Sequence, residues 1–106
     1  MKIIILGIES SCDETSASIC IDGKVMNNII ATQSIHEEYG GVVPELASRA
    51  HQKNIIVVVE SALKDAKVKF SDLTAIAVTQ GPGLLGALMV GYSYAKSLAF
   101  ALNIPI

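Results

Sequence analysis

The chain opens with a near-continuous apolar run over residues 2–8, the pattern of a central strand with both faces covered. Residues 17–21 alternate apolar and polar side chains. Asp22-Gly23 is then typical of a tight hairpin turn into a further strand over residues 25–32. The pattern predicts an antiparallel meander of three strands.

Residues 44–66 carry the signals of one long helix. Pro44 suits a first helical turn, and Glu45 favours the positive end of the helix dipole. The predicted inner face consists of Leu46, Ala47, Ala50, Asn54, Val57, Val58, Ser61 and Ala62. Residues 55–59 alone could form a strand, but the polar residues on both sides continue the 3.6-residue period without a turn signal.

The last third of the chain returns to alternating elements. The pattern predicts a short buried strand over residues 73–79, an apolar helix over 84–102 lying against the sheet, and the start of another strand at 103–106. An antiparallel meander followed by a helix, a strand and a helix is typical of an α/β ribonuclease-H-like lobe with a mixed sheet. Such lobes are the half-units of the actin-like ATPase superfamily.

Polar residues fill the linker between the first two predicted strands. Glu9 ends the first strand with a charge, and a carboxylate there faces a cleft more often than a core. The side chains that could satisfy their own backbone in a turn are those of Ser10, Ser11, Asp13 and Thr15. Alternatively, Asp13 and Glu14 line a cleft, where a carboxylate can orient an amine, accept its proton or hold a cation. No His or Lys lies near Cys12 in sequence to activate its thiol.

A glycine-rich turn over residues 81–86 formally matches G-x-G-x-x-G. A dinucleotide site is rejected, because residues 103–106 lack the acidic side chain expected about 20 positions on. A P-loop is rejected as well, since Ala87-Leu88 stand where Lys and Ser or Thr should follow. The turn binds an anion at a helix N-terminus, or else Gly81 and Gly83 merely permit a tight turn while Gly86 and Gly91 permit close helix packing.

Composition and charge bear on which surfaces the chain contacts and in which compartment it resides. The 106 residues are 51% hydrophobic with a mean hydropathy of +0.50, so some apolar surface is expected to meet another lobe or a second copy. No apolar run reaches the ~20 residues of a membrane span or forms a signal-peptide core. Cys12 and Cys20 suggest free thiols in a reducing compartment. The net charge of −2 offers no basic field for nucleic acid.

Four ordered motifs resemble those of the tRNA N6-adenosine threonylcarbamoyltransferase family. They are Gly-Ile-Glu-Ser-Ser-Cys-Asp-Glu-Thr over residues 7–15, Gly-Gly-Val-Val-Pro-Glu-Leu-Ala-Ser-Arg over 40–49, Thr-Gln-Gly-Pro-Gly-Leu-Leu-Gly-Ala-Leu over 79–88, and Ser-Leu-Ala over 97–99 with Pro105. The related non-catalytic partner in the pathway lacks the first two motifs, so the resemblance is to the catalytic member. Family chains are roughly three times longer and two-lobed, so residues 1–106 are expected to be an N-terminal lobe segment.

The resemblance implies transfer of a threonylcarbamoyl group from threonylcarbamoyl-AMP to N6 of adenosine 37 in tRNAs that read codons beginning with A. It implies catalytic roles for Asp13, Glu14 and Glu9. The implied substrate-binding residues are Ser11, Gly81, Pro82 and Gly83. The family's divalent metal, iron or zinc, is held by a His-x-x-x-His motif beyond residue 106, so no metal is expected on this segment. Other pathway proteins as partners, a cytoplasmic location and self-association of the isolated segment are also expected.

Two other function classes stay open on the residues alone. One is an ATP-dependent phosphotransferase of the same superfamily, and the other is a non-catalytic scaffold, against which residues 12–15 count. A metalloprotease has no support, because no His-Glu-x-x-His is present. His36 and His51 are expected to be structural or surface residues. Arg49 and Lys53 are expected on a solvated helix edge, with contact to tRNA or a partner as the alternative.

Overall fold

The computed structural model describes the backbone of all 106 residues and every side chain except those of residues 34 and 35. Within this described chain, five strands form one mixed sheet: β1 (Ile4–Glu9), β2 (Glu14–Ile21), β3 (Lys24–Val25), β4 (Ile29–Thr32) and β5 (Ala75–Val78). The order is β3-β2-β1-β5, and β4 pairs with β2 beside β3. β1 is antiparallel to β2 and parallel to β5. The two α-helices are α1 (Pro44–Ala66) and α2 (Leu85–Leu102).

The core lies on one face of the sheet. Ile4, Leu6 and Ile8 of β1 are buried there opposite Ile21, Ile19 and Ala17 of β2, and both helices pack over them. The prediction that both faces of β1 are covered is wrong for the described chain, because burial alternates along the strand. The second face is only part-buried and forms an open depression of about 530 Å³.

The meander is confirmed, with two changes in its strands. Asp22 and Gly23 adopt positive φ angles of 49° and 83°, as a two-residue hairpin turn requires. β2 begins at Glu14, earlier than predicted, because residues 14–17 pair with β4.

The strand predicted over residues 25–32 is interrupted. The reason is Asn27, whose Oδ1 accepts a hydrogen bond from Ile19 N at 3.0 Å and takes the place of a backbone partner. Its Nδ2 donates to Ala62 O on α1 at 2.9 Å, which ties the interruption to the helix.

Helix α1 has the predicted bounds, and the strand alternative over residues 55–59 is wrong. The predicted inner face is wrong in part: Val57 is 60% exposed, whereas His51 is fully buried. The buried residues are Ala47, His51, Ile55, Val58, Val59, Ala62 and Leu63. The predicted face is displaced by about one residue, because it omits Ile55, Val59 and Leu63 as well as the histidine. Arg49 is exposed and pairs with Glu45 one turn earlier at 2.6 Å, consistent with a solvated edge.

Small residues set the distance between α2 and the sheet. The buried positions of α2 recur every four residues at Ala87, Gly91, Ala95 and Ala99, so the helix lies close to β1 and β5, as predicted. By length and composition alone α2 could cross a membrane, but core helices of globular domains pass the same test. Residues 103–106 do not form the predicted strand, although Pro105 O accepts a hydrogen bond from Ile76 N.

Candidate functional site

Two turns meet at the carboxyl ends of β1 and β5. One is the loop over residues 10–13, and the other is the glycine-rich turn before α2. Leu84 N donates to Ser11 O at 2.8 Å. A Cβ atom on Gly83 would lie 2.5 Å from Ser11 O and 2.8 Å from Ser11 Cβ. Glycine is therefore required at position 83 because the two backbones approach closely. The conformation of the turn does not require it, since neither Gly81 nor Gly83 has a positive φ angle.

Ser10 fastens the same loop to α2. Its side chain is buried, and its Oγ donates to Ala87 O at 2.7 Å and accepts from Gly91 N at 3.0 Å. A Cβ atom on Gly91 would overlap this hydroxyl. The interpretation that Ser10 satisfies its own turn is wrong, because its partners lie nearly eighty residues away along the chain.

The far side of the loop is held by α1. His51 Nε2 lies 2.7 Å from Cys12 O, and its Nδ1 lies 2.7 Å from Thr15 Oγ1. His51 is thus a structural residue, which was one of the two expectations for it. It links α1 to both ends of the segment over residues 12–15, which contains Asp13. Thr15 is buried within β2 and uses its hydroxyl on α1, not on its own turn. The Cys12 and Cys20 thiols are free, as predicted.

Among the three predicted catalytic carboxylates, Glu9 already has a partner. It is part-buried, accepts a hydrogen bond from Ser11 N and lines the depression on the open sheet face with Ser16 and Thr79. Its carboxylate therefore supports the loop from the side opposite the helices.

Asp13 and Glu14 are placed differently. Asp13 is part-exposed in the loop, and Glu14 is exposed at the start of β2, opposite Thr32. Within the described chain, neither carboxylate takes part in a side-chain hydrogen bond or a salt bridge. Gly81 and Pro82 are exposed on the facing turn. The geometry thus brings Ser11 against Gly83 and leaves Asp13 available to a ligand.

The first turn of α2 carries a positive dipole end beside this loop. No acidic side chain lies in that turn, and Leu84 at the N-cap provides no side-chain cap. The amides of residues 85 and 86 come before the first in-helix hydrogen bonds, so they are suited to an anionic ligand at this edge.

The histidines of this chain do not fit a metal. Within the described residues, no group of three or more His, Cys, Asp or Glu side chains could hold an ion. His36 Nδ1 accepts from Val43 N at 3.0 Å, and its Nε2 pairs with Gln33 Oε1 at 2.6 Å. Both ring nitrogens of His51 are engaged as well, with Cys12 O and Thr15 Oγ1.

Solved structures share the fold of this chain. YeaZ from Pseudomonas aeruginosa superposes with a TM-score of 0.72 at 23% identity, over 98% of this chain and 42% of that one. An uncharacterized protein with similarity to peptidase YEAZ from Pseudomonas aeruginosa superposes at 0.69, with 22% identity and 98% and 43% coverage. With its meander, crossover helix and parallel β5, the chain has the fold of an α/β, ribonuclease-H-like lobe.

The chain belongs to the tRNA N6-adenosine threonylcarbamoyltransferase family, whose sequence profile, described as TsaD: tRNA N6-adenosine threonylcarbamoyltransferase, matches residues 24–106. Proteins so named from Christiangramia forsetii, Cytophaga hutchinsonii and Phocaeicola vulgatus are 60%, 59% and 58% identical over 105, 106 and 106 residues. These alignments cover 99%, 100% and 100% of this chain but 31% of each relative. The chain therefore spans about a third of the length of these relatives.

The sequence did not reveal the contacts by which four residues build this site: Ser10, Thr15, His51 and Gly91. Gly91 was expected to permit close helix packing, and the group that approaches it is the Ser10 hydroxyl. Nothing local in the sequence pairs His51 with Cys12 and Thr15, since the contact depends on how α1 crosses the sheet.

Proposed function

We propose that the full-length protein transfers a threonylcarbamoyl group from threonylcarbamoyl-AMP to N6 of adenosine 37 of tRNAs that read codons beginning with A. The observation that carries this proposal is the 60% identity to a protein named for that activity over nearly the whole chain. The candidate site supports it, because Ser11, within the motif over residues 7–15, lies against the glycine-rich turn.

The reaction replaces the C–O bond of the anhydride with an N–C bond and releases one proton. The N6 amine attacks the carbonyl carbon of the mixed anhydride, and an N–C bond forms. The C–O bond to the phosphate breaks, and AMP leaves with that electron pair. The nitrogen loses one proton to a base. An exocyclic amine is a weak nucleophile, so catalysis depends on positioning, on stabilising charge at the leaving phosphate and on a proton acceptor.

In this proposal Asp13 orients the amine and accepts its proton, because it is the loop carboxylate without a partner in the described chain. Ser11 and the turn at Gly81, Pro82 and Gly83 face the phosphate of the leaving group, with the N-terminal amides of α2 behind them. Glu14 and Glu9 are further candidates for catalysis. The engagement of Glu9 with the Ser11 amide favours support of the loop.

The cofactor and the partners are further parts of the proposal. A divalent metal, iron or zinc, would be held by histidines outside residues 1–106. The chemistry it would supply is polarisation of the substrate's oxygens. tRNA would be held mainly by other parts of the protein or by other pathway proteins, since this segment carries a net charge of −2. A cytoplasmic location is consistent with a tRNA substrate.

The test is tRNA modification by the purified full-length protein with threonylcarbamoyl-AMP. Asp13→Asn keeps the shape of the side chain and removes the base, so the rate of transfer should fall by about 10²- to 10⁴-fold. Glu14→Gln, one residue along, is the matched control and should lose less. A folded Asp13→Asn protein with near-wild-type transfer contradicts the role of Asp13. Phosphorylation of a sugar with ATP, and no transfer, would favour the phosphotransferase instead.

A further inference from the structure

His51 is a fully buried polar side chain that the proposed chemistry does not use. It projects from the second turn of α1 toward the start of β2. Its two ring nitrogens contact Cys12 O and Thr15 Oγ1, each at 2.7 Å. These two partners flank Asp13 and Glu14 in sequence, so one imidazole bridges the ends of the segment that carries the candidate carboxylates.

The partners fix where the protons lie. Cys12 O is a carbonyl oxygen and can only accept, so Nε2 must carry a hydrogen and donate it. In the neutral ring Nδ1 then accepts from the Thr15 hydroxyl. The Cys12 carbonyl therefore selects the tautomer, and the Thr15 hydroxyl, which can donate or accept, satisfies the second ring nitrogen. A methyl group in place of this hydroxyl would leave Nδ1 buried without a partner.

The loop has separate anchors along its length. Ser10 is fixed to α2 and Ser11 to the glycine-rich turn, but both precede Cys12. In the described chain, the bond from His51 is the side-chain hydrogen bond closest to Asp13 in sequence, because it ends on the preceding carbonyl. A shift of this carbonyl turns the peptide that joins Cys12 to Asp13 and so re-aims the carboxylate.

We propose that His51 is a positioning residue that sets the direction of the Asp13 carboxylate through the Cys12 carbonyl. The proposal rests on the function proposed above for Asp13. A misplacement of about 1 Å at a reacting group can lower a rate by about 10²-fold, which sets the scale of the expected effect.

Two substitutions separate positioning from simple burial, both made in the full-length protein. His51→Gln places an amide nitrogen where Nε2 lies and keeps the bond to Cys12 O. His51→Asn places its amide near Nδ1, so it keeps the Thr15 contact and loses the bond to the loop. Each variant gives up one hydrogen bond, so their stabilities should be similar. We expect kcat of His51→Asn to fall about 10- to 100-fold, with little change in KM, while His51→Gln stays within about threefold of wild type. Equal kcat losses in both variants, or losses that follow thermal stability, would overturn the proposal.

Measurements that need no activity keep the proposal testable if transfer itself is not observed. Nitrogen NMR of the wild-type protein should show His51 as the Nε2–H tautomer. Hydrogen exchange at residues 12–14 should be faster in His51→Asn than in His51→Gln. The Nδ1–H tautomer, or equal exchange in the two variants, contradicts the positioning role. Absence of transfer by the wild type, with both signatures present, contradicts only the proposed function.

Thr15 provides a second pair of variants in case the histidine variants do not fold. Thr15→Val keeps the shape of the side chain and removes the hydroxyl that holds the imidazole through Nδ1, whereas Thr15→Ser keeps the hydroxyl. Faster exchange at residues 12–14 and a lower kcat are expected for Thr15→Val alone. Wild-type exchange and kcat in a folded Thr15→Val protein would also overturn the proposal.

Discussion

Replacing Gly83 with alanine tests the contact between the two turns of the candidate site. The added Cβ would lie 2.5 Å from Ser11 O and 2.8 Å from Ser11 Cβ. Cβ atoms essentially never approach other atoms within 3.0 Å, so the turns must separate by at least about 0.5 Å. The obstructing atoms belong to the backbone and the base of a side chain, and therefore no rotamer change can relieve the overlap.

The cost has two sources. Overpacking of this kind destabilises by about 1–3 kcal/mol. Separating the turns also weakens the hydrogen bond from Leu84 N to Ser11 O, which contributes about 0.5–1.5 kcal/mol. We expect Gly83→Ala to lower the free energy of unfolding by about 2–4 kcal/mol in total. Its transfer rate should fall about 10- to 100-fold, because the loop carrying Asp13 shifts.

Gly81→Ala is the matched control, since a Cβ at Gly81 has no atom of the described chain within 4 Å and the φ angle is not positive. Thermal unfolding of the full-length variants should show a loss of stability for Gly83→Ala and almost none for Gly81→Ala. Equal stability of the two would refute the proposed close contact. A rate lost in Gly81→Ala without a change in stability would instead indicate that a ligand approaches the exposed side of the turn.

Three further results are expected. Gly91→Ala should speed hydrogen exchange in α2, because its Cβ displaces the Ser10 hydroxyl. Adding Ser10→Ala should restore part of the protection, and additive effects of the two substitutions would contradict this coupling. Burial, and secondarily the Glu60 charge, raises the pKa of Tyr94 above 10. Above pH 10 the unfolded chain therefore loses this proton first, and the free energy of unfolding falls. Denaturation at increasing pH should show a smaller fall for Tyr94→Phe than for wild type, and identical pH profiles would contradict this. The isolated segment should self-associate through the apolar face of α2, and sedimentation at tens of micromolar should show this. Phe100 is 88% exposed, so Phe100→Ser should weaken the association. A monomeric wild-type segment would contradict this prediction.

The fold was largely predictable because its elements follow local patterns. The hairpin at Asp22-Gly23 and the bounds of α1 depend on turn chemistry, a first-turn proline and the 3.6-residue period. The interruption at Asn27 was not predictable, since its amide replaces a backbone partner only when α1 supplies the second acceptor at Ala62 O. Local pattern also could not show that one face of β1 is left open.

The two segments that meet at the candidate site were predictable, but the contacts that join them were not. The motif around Asp13 and the glycine-rich turn were both identified, and the structure brings Ser11 against Gly83. What holds them together was not visible in the sequence: a serine that reaches α2 and a histidine that reaches back from α1. Such contacts join residues separated by 36 to 81 positions. No periodicity within a single element encodes them.

The anchors of the loop explain how the carboxylate of Asp13 can be presented to a ligand without further ordering of the backbone. Ser10, Ser11 and Cys12 are consecutive, and each is fixed to a different partner: α2, the glycine-rich turn and α1. Asp13 follows directly and is part-exposed. The backbone that carries it is therefore ordered by folding itself, before any substrate binds, which is the condition under which a positioned group lowers a barrier most effectively. If Asp13 acts as proposed, loosening an anchor should reduce kcat more than it raises KM, because substrate contacts elsewhere would remain while the Asp13 carboxylate loses its direction.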